Sequence, residues 1–267
     1  IRSFLLFSPD GRQVAYVAGT GSKQFVVVDG KEGKAYDDIG EFSLVFSHDG
    51  RQVAYVAKAV NKQFTVVDGK EGKAYDGIIG VSLHFSPDSK RMAYVAQSGN
   101  KWAVVVDGKE DKAYDDITSR SLPLFSPDGQ HAAYAAKSGS KRFVVVDGKE
   151  GKAYDDIGAG PPVFSSDSQH MAYVVGTGGK QFVVVNGKEG KAYDGIGNSL
   201  GFSPNGQRVA YAAKSGSKWS VVVGDKEGQA YDGLLEGSRI VFDSANSLHY
   251  LVVKDGHSVY LVEEKLK

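Results

Sequence analysis

The stretch FVVVDGKEGKAYDDIG occupies residues 25–40 and returns letter for letter at residues 143–158, with looser copies beginning near Phe64, Ala103, Phe182 and Ser220. A second phrase runs in step with it. FSPDG starts at Phe7 and comes back as FSHDG at Phe46, FSPDS at Phe85, FSPDG at Phe125, FSSDS at Phe164 and FSPNG at Phe202, with a degenerate FDSANS at Phe242. The spacings are 39, 39, 40, 39, 38 and 40 residues, so the 267-residue chain is written as seven units. Self-similarity at this period marks a repeat architecture and takes precedence over any local reading.

Each unit reads as four short strands. Strand A is the apolar lead-in FSLVFS (Phe42 to Ser47), ended by a Pro-Asp-Gly type of turn that presets φ and tolerates a left-handed residue. Strand B is RQVAYVA (Arg12 to Ala18), and strand C is QFVVVD (Gln24 to Asp29), closed by Asp-Gly, the strongest short hairpin signal. Strand D is KAYDDI (Lys34 to Ile39). The runs are too short and too β-branched for helices. Four antiparallel strands in about 40 residues, repeated seven times, predict an all-β, seven-bladed β-propeller, since a lone four-stranded sheet cannot bury both faces and must pack on its neighbours. The expected organisation is one domain over 1–267, with blades at 1–41, 42–80, 81–119, 120–159, 160–197, 198–237 and 238–267.

Seven of the 14 tyrosines share one strand-B position (Tyr16, Tyr55, Tyr94, Tyr134, Tyr173, Tyr211, Tyr250) and six share one strand-D position (Tyr36, Tyr75, Tyr114, Tyr154, Tyr193, Tyr231). They read as rings packed between blades with hydroxyls at a wet edge.

FSPDG followed by VAYVA resembles the WD40-like propeller repeat of the TolB type, in which a Ser-Pro-Asp turn joins strands A and B. The resemblance covers nearly the whole chain and is specific for fold. It implies a periplasmic or extracellular bacterial location and says little about activity, because such propellers serve as interaction scaffolds, as non-catalytic gates on peptidases and occasionally as lyases. One departure stands out: the AYD strand occurs only six times, and the last unit stops after strand C. The expectation is a three-stranded last blade, or one completed by a segment upstream of Ile1, with an open edge suited to pairing with another chain or to oligomerisation. A chain that starts at Ile1 without Met or leader reads as a processed, trimmed or engineered form.

Composition narrows the function classes. The 32 basic residues balance the 32 acidic ones and the signs alternate locally, which argues against nucleic acid or an anionic membrane as partner. No apolar run reaches the roughly 20 residues of a membrane-spanning helix. Without cysteine there is no disulfide, thiolate catalysis or cysteine-zinc site. GTGSK and GTGGK (Gly19 to Lys23, Gly176 to Lys180) lack the Gly-Lys-Ser/Thr ending of a phosphate loop and lead into strands. The six histidines show no metal-ligand spacing, no Gly-x-Ser-x-Gly elbow precedes a helix, and the aspartates at the turns read as turn formers. No catalytic residue, metal or cofactor is assigned.

The A-to-B turns (SPDG) and C-to-D turns (DGKEGK) are nearly constant, whereas the B-to-C loops (GTGSK, KAVNK, QSGNK, KSGSK, GTGGK, KSGSK) and the D-to-A junctions (DIGEFS, IIGVS, ITSRS, IGAGPP, IGNS, LLEGS) vary. Loops on a rigid scaffold carry recognition, so the varied face is the expected binding surface. Glu41, Arg120 and Glu236 lie in its junctions. Trp102 and Trp219 replace the glutamine or arginine that opens strand C elsewhere, and exposed tryptophans suit sugar stacking or a protein hot spot. His84 takes an apolar strand-A position expected to line the channel. The function expected is a non-enzymatic scaffold for a protein partner; the alternatives are a lectin-like multivalent binder of a repeated ligand such as a glycan, or the non-catalytic propeller of a larger enzyme.

Overall fold

The structure, a computed structural model, describes residues 5–117, 122–158, 160–197, 199–235 and 237–266. The strands form seven antiparallel sheets, one per repeat, and the fold is all-β and seven-bladed. The chain divides into two compact units, Ile1–Gly139 and Ser140–Lys267.

In the first unit, the second repeat shows how a blade is made. Strand B (Val53–Ala59) pairs with strand C (Lys62–Val67), and strand C pairs with a two-residue strand D (Lys70–Glu71). On its other side strand B carries strand A in two halves, Asp38–Ile39 against Lys58 and Ala57, and Val45–Phe46 against Ala54 and Val53. The third repeat does the same with Gly77–Ile78, His84–Phe85, Met92–Ser98, Lys101–Val106 and Lys109–Glu110. In the second unit, the fifth and sixth repeats follow the same plan. The last sheet places Gly233–Leu234 and Val241–Ser244 on Ser247–Lys254, and strand C, Ser258–Lys265, is its outermost strand among the described residues.

This pairing corrects the reading of KAYDDI as one strand. Tyr36 forms a bridge with Gln24 of its own repeat, whereas Asp38–Ile39 belongs to the sheet of the next. The chain changes sheet at Asp37, whose N–H donates to the Lys58 carbonyl at 2.9 Å. The varied junctions such as Gly40 to Leu44 therefore interrupt strand A halfway along its length.

Packing explains the tyrosine ladders. A strand-D tyrosine meets the strand-B tyrosine of the following repeat edge-on: Tyr36 and Tyr55 at 6.4 Å and Tyr75 and Tyr94 at 6.2 Å in the first unit, Tyr193 and Tyr211 at 6.2 Å in the second. Such pairs contribute about 0.5–1.5 kcal/mol beyond the area they bury. Two of the hydroxyls reach carboxylates, Tyr36 donating to Glu71 at 3.0 Å and Tyr134 to Asp111 at 3.0 Å, whereas those of Tyr75 and Tyr154 are buried without a hydrogen-bond partner among the described residues. Burial raises the pKa of Tyr36 and Tyr134 well above the phenolic range.

Candidate functional site

The invariant turns are consumed by the fold. In FSHDG the buried Ser47 hydroxyl donates to Asp49 at 2.6 Å and accepts the Gln52 N–H at 3.0 Å, while Asp49 also takes the Arg51 N–H at 3.1 Å. Those hydrogen bonds, the serine first, hold Asp49 below the ordinary carboxylate range. In the Asp-Gly turn Asp29 sits at φ 49° and Gly30 at φ 77°, the double left-handed pair a type I′ turn requires, and the Asp29 carboxylate accepts the Val14 N–H at 2.9 Å. Glutamates of DGKEGK pair with the lysine of the preceding repeat: Lys34 to Glu71 at 2.7 Å and Lys73 to Glu110 at 2.6 Å in the first unit, Lys152 to Glu189 at 2.7 Å in the second.

At the opposite end of the strands an aspartate after each strand-D tyrosine clamps two repeats. Asp76 takes Lys62 of its own repeat at 2.5 Å and the Gly99 N–H of the next at 2.7 Å; Asp194 takes Lys180 and the Gly216 N–H likewise. The clamp holds the B-to-C loops, and its lysine hydrogen bond is the main cause of the lowered Asp76 pKa.

Against this uniform background the second repeat departs twice. Phe42 has φ 57° and is 69% exposed, and Val60 has φ 48° and is 87% exposed. Bulky and β-branched residues avoid the left-handed region, at a cost of roughly 1–2 kcal/mol each. Strain of this kind persists where the surroundings fix the backbone, and the Asp37 carboxylate does so for Val60 by accepting its N–H at 2.9 Å. Phe42 and Glu41 border a cleft of about 550 Å³, floored by Leu6, Val17 and Ile39.

The second unit has a cleft at the equivalent place in its repeats, about 440 Å³, lined by Ala212, Trp219, Leu234, Leu235, Arg239 and Ile240. Ala212 answers to Val17, Trp219 to Gln24, Leu234 to Ile39 and Ile240 to Leu44. Gln24 spends its side-chain carbonyl on the Ile39 N–H at 3.1 Å. Trp219 instead offers a half-buried ring, with Lys214 Nζ 5.9 Å from its centroid. A third cleft of about 540 Å³ lies on the constant face between the fifth and sixth repeats, lined by His170, Phe202, Tyr193 and Tyr211 and rimmed by the Lys191–Glu227 pair at 2.6 Å. In the third repeat Arg91 takes the His170 position, sits over Phe125 at 5.3 Å and donates to the Gln130 carbonyl at 2.5 Å.

Of the residues singled out in the sequence, Glu41 and Trp219 line equivalent clefts, one in each unit. Trp102 is half-buried opposite Gln97 on strand B. Arg120 and Glu236 lie outside the described residues. His84 is half-buried, its Nδ1 2.8 Å from the Ser82 carbonyl and its ring edge-on to Phe125 at 5.5 Å. Burial keeps its pKa below 6.5, so the neutral ring donates from Nδ1. Phe42 and Arg239 were missed, since nothing in GEFS or EGSR announces a left-handed backbone or a cleft. Val60 did leave a signal: its loop reads Val-Asn where the others carry a glycine. Among the described residues no group of three or more His, Asp or Glu side chains could hold a metal ion.

The Ser-x-Asp turn between strands A and B recurs on the antiparallel sheets, one per repeat, that make up the seven blades. The chain is similar in structure to TolB from Acinetobacter baumannii (18% identity over 85% of this chain and 64% of that one, TM-score 0.36). It is also similar to the Cps50 (Swd1) β-propeller domain of Myceliophteria thermophila (12% identity, 98% of each chain, TM-score 0.36) and to the Dos1 propeller (15% identity, 98% of this chain and 78% of that one, TM-score 0.44). The chain thus spans just under two thirds of the TolB structure's length. No family model and no curated protein matches the sequence. No helix among the described residues is long and apolar enough to cross a membrane.

Proposed function

We propose that the chain is a single propeller domain acting as a non-enzymatic interaction scaffold, with a protein partner bound by the varied B-to-C and D-to-A segments. The observation that carries this reading is Phe42, an exposed aromatic in a left-handed backbone beside the Glu41 carboxylate and an apolar cleft. Val60 adds a second exposed apolar side chain in the same repeat. Aromatic side chains beside a desolvated pocket are the usual energetic anchors of protein interfaces, and a cleft of this size with few polar groups suits an inserted side chain. The serines and aspartates of the constant turns, in contrast, are engaged with one another or with backbone N–H groups.

A photoreactive benzoylphenylalanine at position 42 tests the proposal. It should cross-link one protein species, the species should be lost when Glu41→Lys and Val60→Gly are added, and the same probe at Lys31 on the constant turns should not capture it. Equal capture from both positions overturns the placement. Absence of any protein adduct overturns the protein-scaffold reading. Trp219 supports a second reading, a ring-stacking ligand such as a sugar; glycan-array binding abolished by Trp219→Ala would establish it.

A further inference from the structure

One C-to-D turn departs from the constant form. It reads Asp29-Gly30, Asp68-Gly69, Asp107-Gly108 and Asp147-Gly148 in the first four repeats and Asn186-Gly187 in the fifth, but Gly224-Asp225 in the sixth. Gly224 holds φ 59° and Asp225 lies outside the left-handed region, the glycine-first order of a type II′ turn. The reversal removes an acceptor. In the first unit the turn aspartate receives the first N–H of strand B, from Val14 at 2.9 Å, Val53 at 2.9 Å and Met92 at 3.0 Å; in the second, Asn186 receives the Met171 N–H at 2.9 Å. Val209 is the equivalent residue of the sixth repeat. It is 7% exposed, and its N–H has no acceptor among the described residues, an uncommon state for a buried backbone donor. A Cβ placed on Gly224 would meet nothing within 4 Å, so the space that the aspartate fills elsewhere is open. Asp225 makes no hydrogen bond or ion pair among the described residues.

Val209, Gly224 and Asp225 all border the cleft of about 540 Å³ between the fifth and sixth repeats. Val183, Val185 and Phe202 give it apolar surface, and two of its carboxylates are already neutralised, Glu227 by Lys191 at 2.6 Å and Glu189 by Lys152 at 2.7 Å. We infer that this cleft binds a free α-amino acid with an apolar side chain. The carboxylate enters the space beside Gly224 and accepts the Val209 N–H, the ammonium pairs with Asp225, and the side chain packs on Val183, Val185 and Phe202. The third repeat displays the first of these contacts: the Asp107 carboxylate takes the Met92 N–H at 3.0 Å on one oxygen and Arg91 Nε at 2.9 Å on the other. Arg208 occupies the position of Arg91 in the sixth repeat. An acid without an amine would set its charge beside Asp225, and an amine without an acid would leave the Val209 N–H unmet, so the two open groups select a ligand carrying both. A cleft of this volume with an apolar wall and few convergent polar groups suits a small molecule.

The test is L-phenylalanine titrated into the full chain, followed by calorimetry and by the amide shift of Val209. Saturable one-site binding below about 1 mM is expected. Loss of the ammonium in 3-phenylpropionate, or of the carboxylate in phenethylamine, should weaken it about tenfold or more, as for removal of a charge-assisted hydrogen bond. Asp225→Asn should weaken phenylalanine binding and leave 3-phenylpropionate binding no weaker. The double exchange Gly224→Asp with Asp225→Gly restores the turn of the first four repeats; its own carboxylate should fill the space and abolish binding without lowering the denaturation midpoint. No saturation at about 10 mM phenylalanine overturns the proposal. Binding undiminished by the double exchange overturns it too, and 3-phenylpropionate binding as tightly as phenylalanine overturns the assignment to an amino acid.

Discussion

The constant turns and the varied segments occupy the same sheets, and they differ in what their side chains touch. At the constant turns Ser47, Asp49, Asp29 and Glu71 each have a bonded partner, and the partners recur from repeat to repeat. In the varied segments Phe42 and Val60 hold strained backbones with their apolar side chains in solvent. The difference teaches that repetition here records neighbour contacts: every internal repeat meets nearly the same two neighbours, so whatever makes those contacts is rewritten each time. Residues that make none are free to differ, and recognition is sought among them.

The comparison breaks most visibly at the tyrosines. Tyr94→Ala removes a ring that is 2% exposed and should cost roughly 3–5 kcal/mol in chemical denaturation. Tyr16→Ala, the same position in the first repeat but half-exposed, should cost clearly less. Equal losses would mean that the first sheet is covered in solution.

Ser86→Ala comes next. It strips the Arg91 N–H and Asp88 of a buried hydroxyl and should cost about 1–3 kcal/mol, a penalty that Ser→Thr would not reproduce in kind because the lost partner, not volume, sets it. In the varied segments the sign reverses. Val60→Gly relieves left-handed strain and gives up almost no buried area, so it should raise stability by about 1 kcal/mol while weakening partner capture. A destabilised Val60→Gly would show that the loop conformation is held by the valine side chain after all.

The pH dependence sharpens the contrast further. Asp49, Asp76 and Glu71 have folded pKa values lowered from 3.8, 3.8 and 4.5, by the Ser47, Lys62 and Lys34 hydrogen bonds first. Their stabilisation is complete above those unfolded values and is lost as pH falls through the lower folded ones. His84 is lowered from 6.5 by burial, so the unfolded chain binds its proton first and stability declines as pH falls below 6.5. Denaturation midpoints should therefore drop slightly between pH 7 and 5 and steeply below about 4. His84→Gln should flatten the upper step alone, and the lower one should survive it.

The sequence by itself determined the blade. A 38- to 40-residue period, Asp-Gly hairpin turns, Ser-x-Asp turns and alternating valines are local instructions, and each was legible because turn geometry and strand alternation act over a few residues. The tyrosine ladders could be read the same way. Only the tertiary structure decided where the chain changes sheet, that Glu41 and Trp219 border equivalent clefts, and that Phe42 and Val60 hold left-handed backbones. Those outcomes depend on hydrogen bonds between repeats, such as Asp37 to the Val60 N–H across 23 positions of sequence, and a periodic pattern carries no record of which neighbour a given residue will meet.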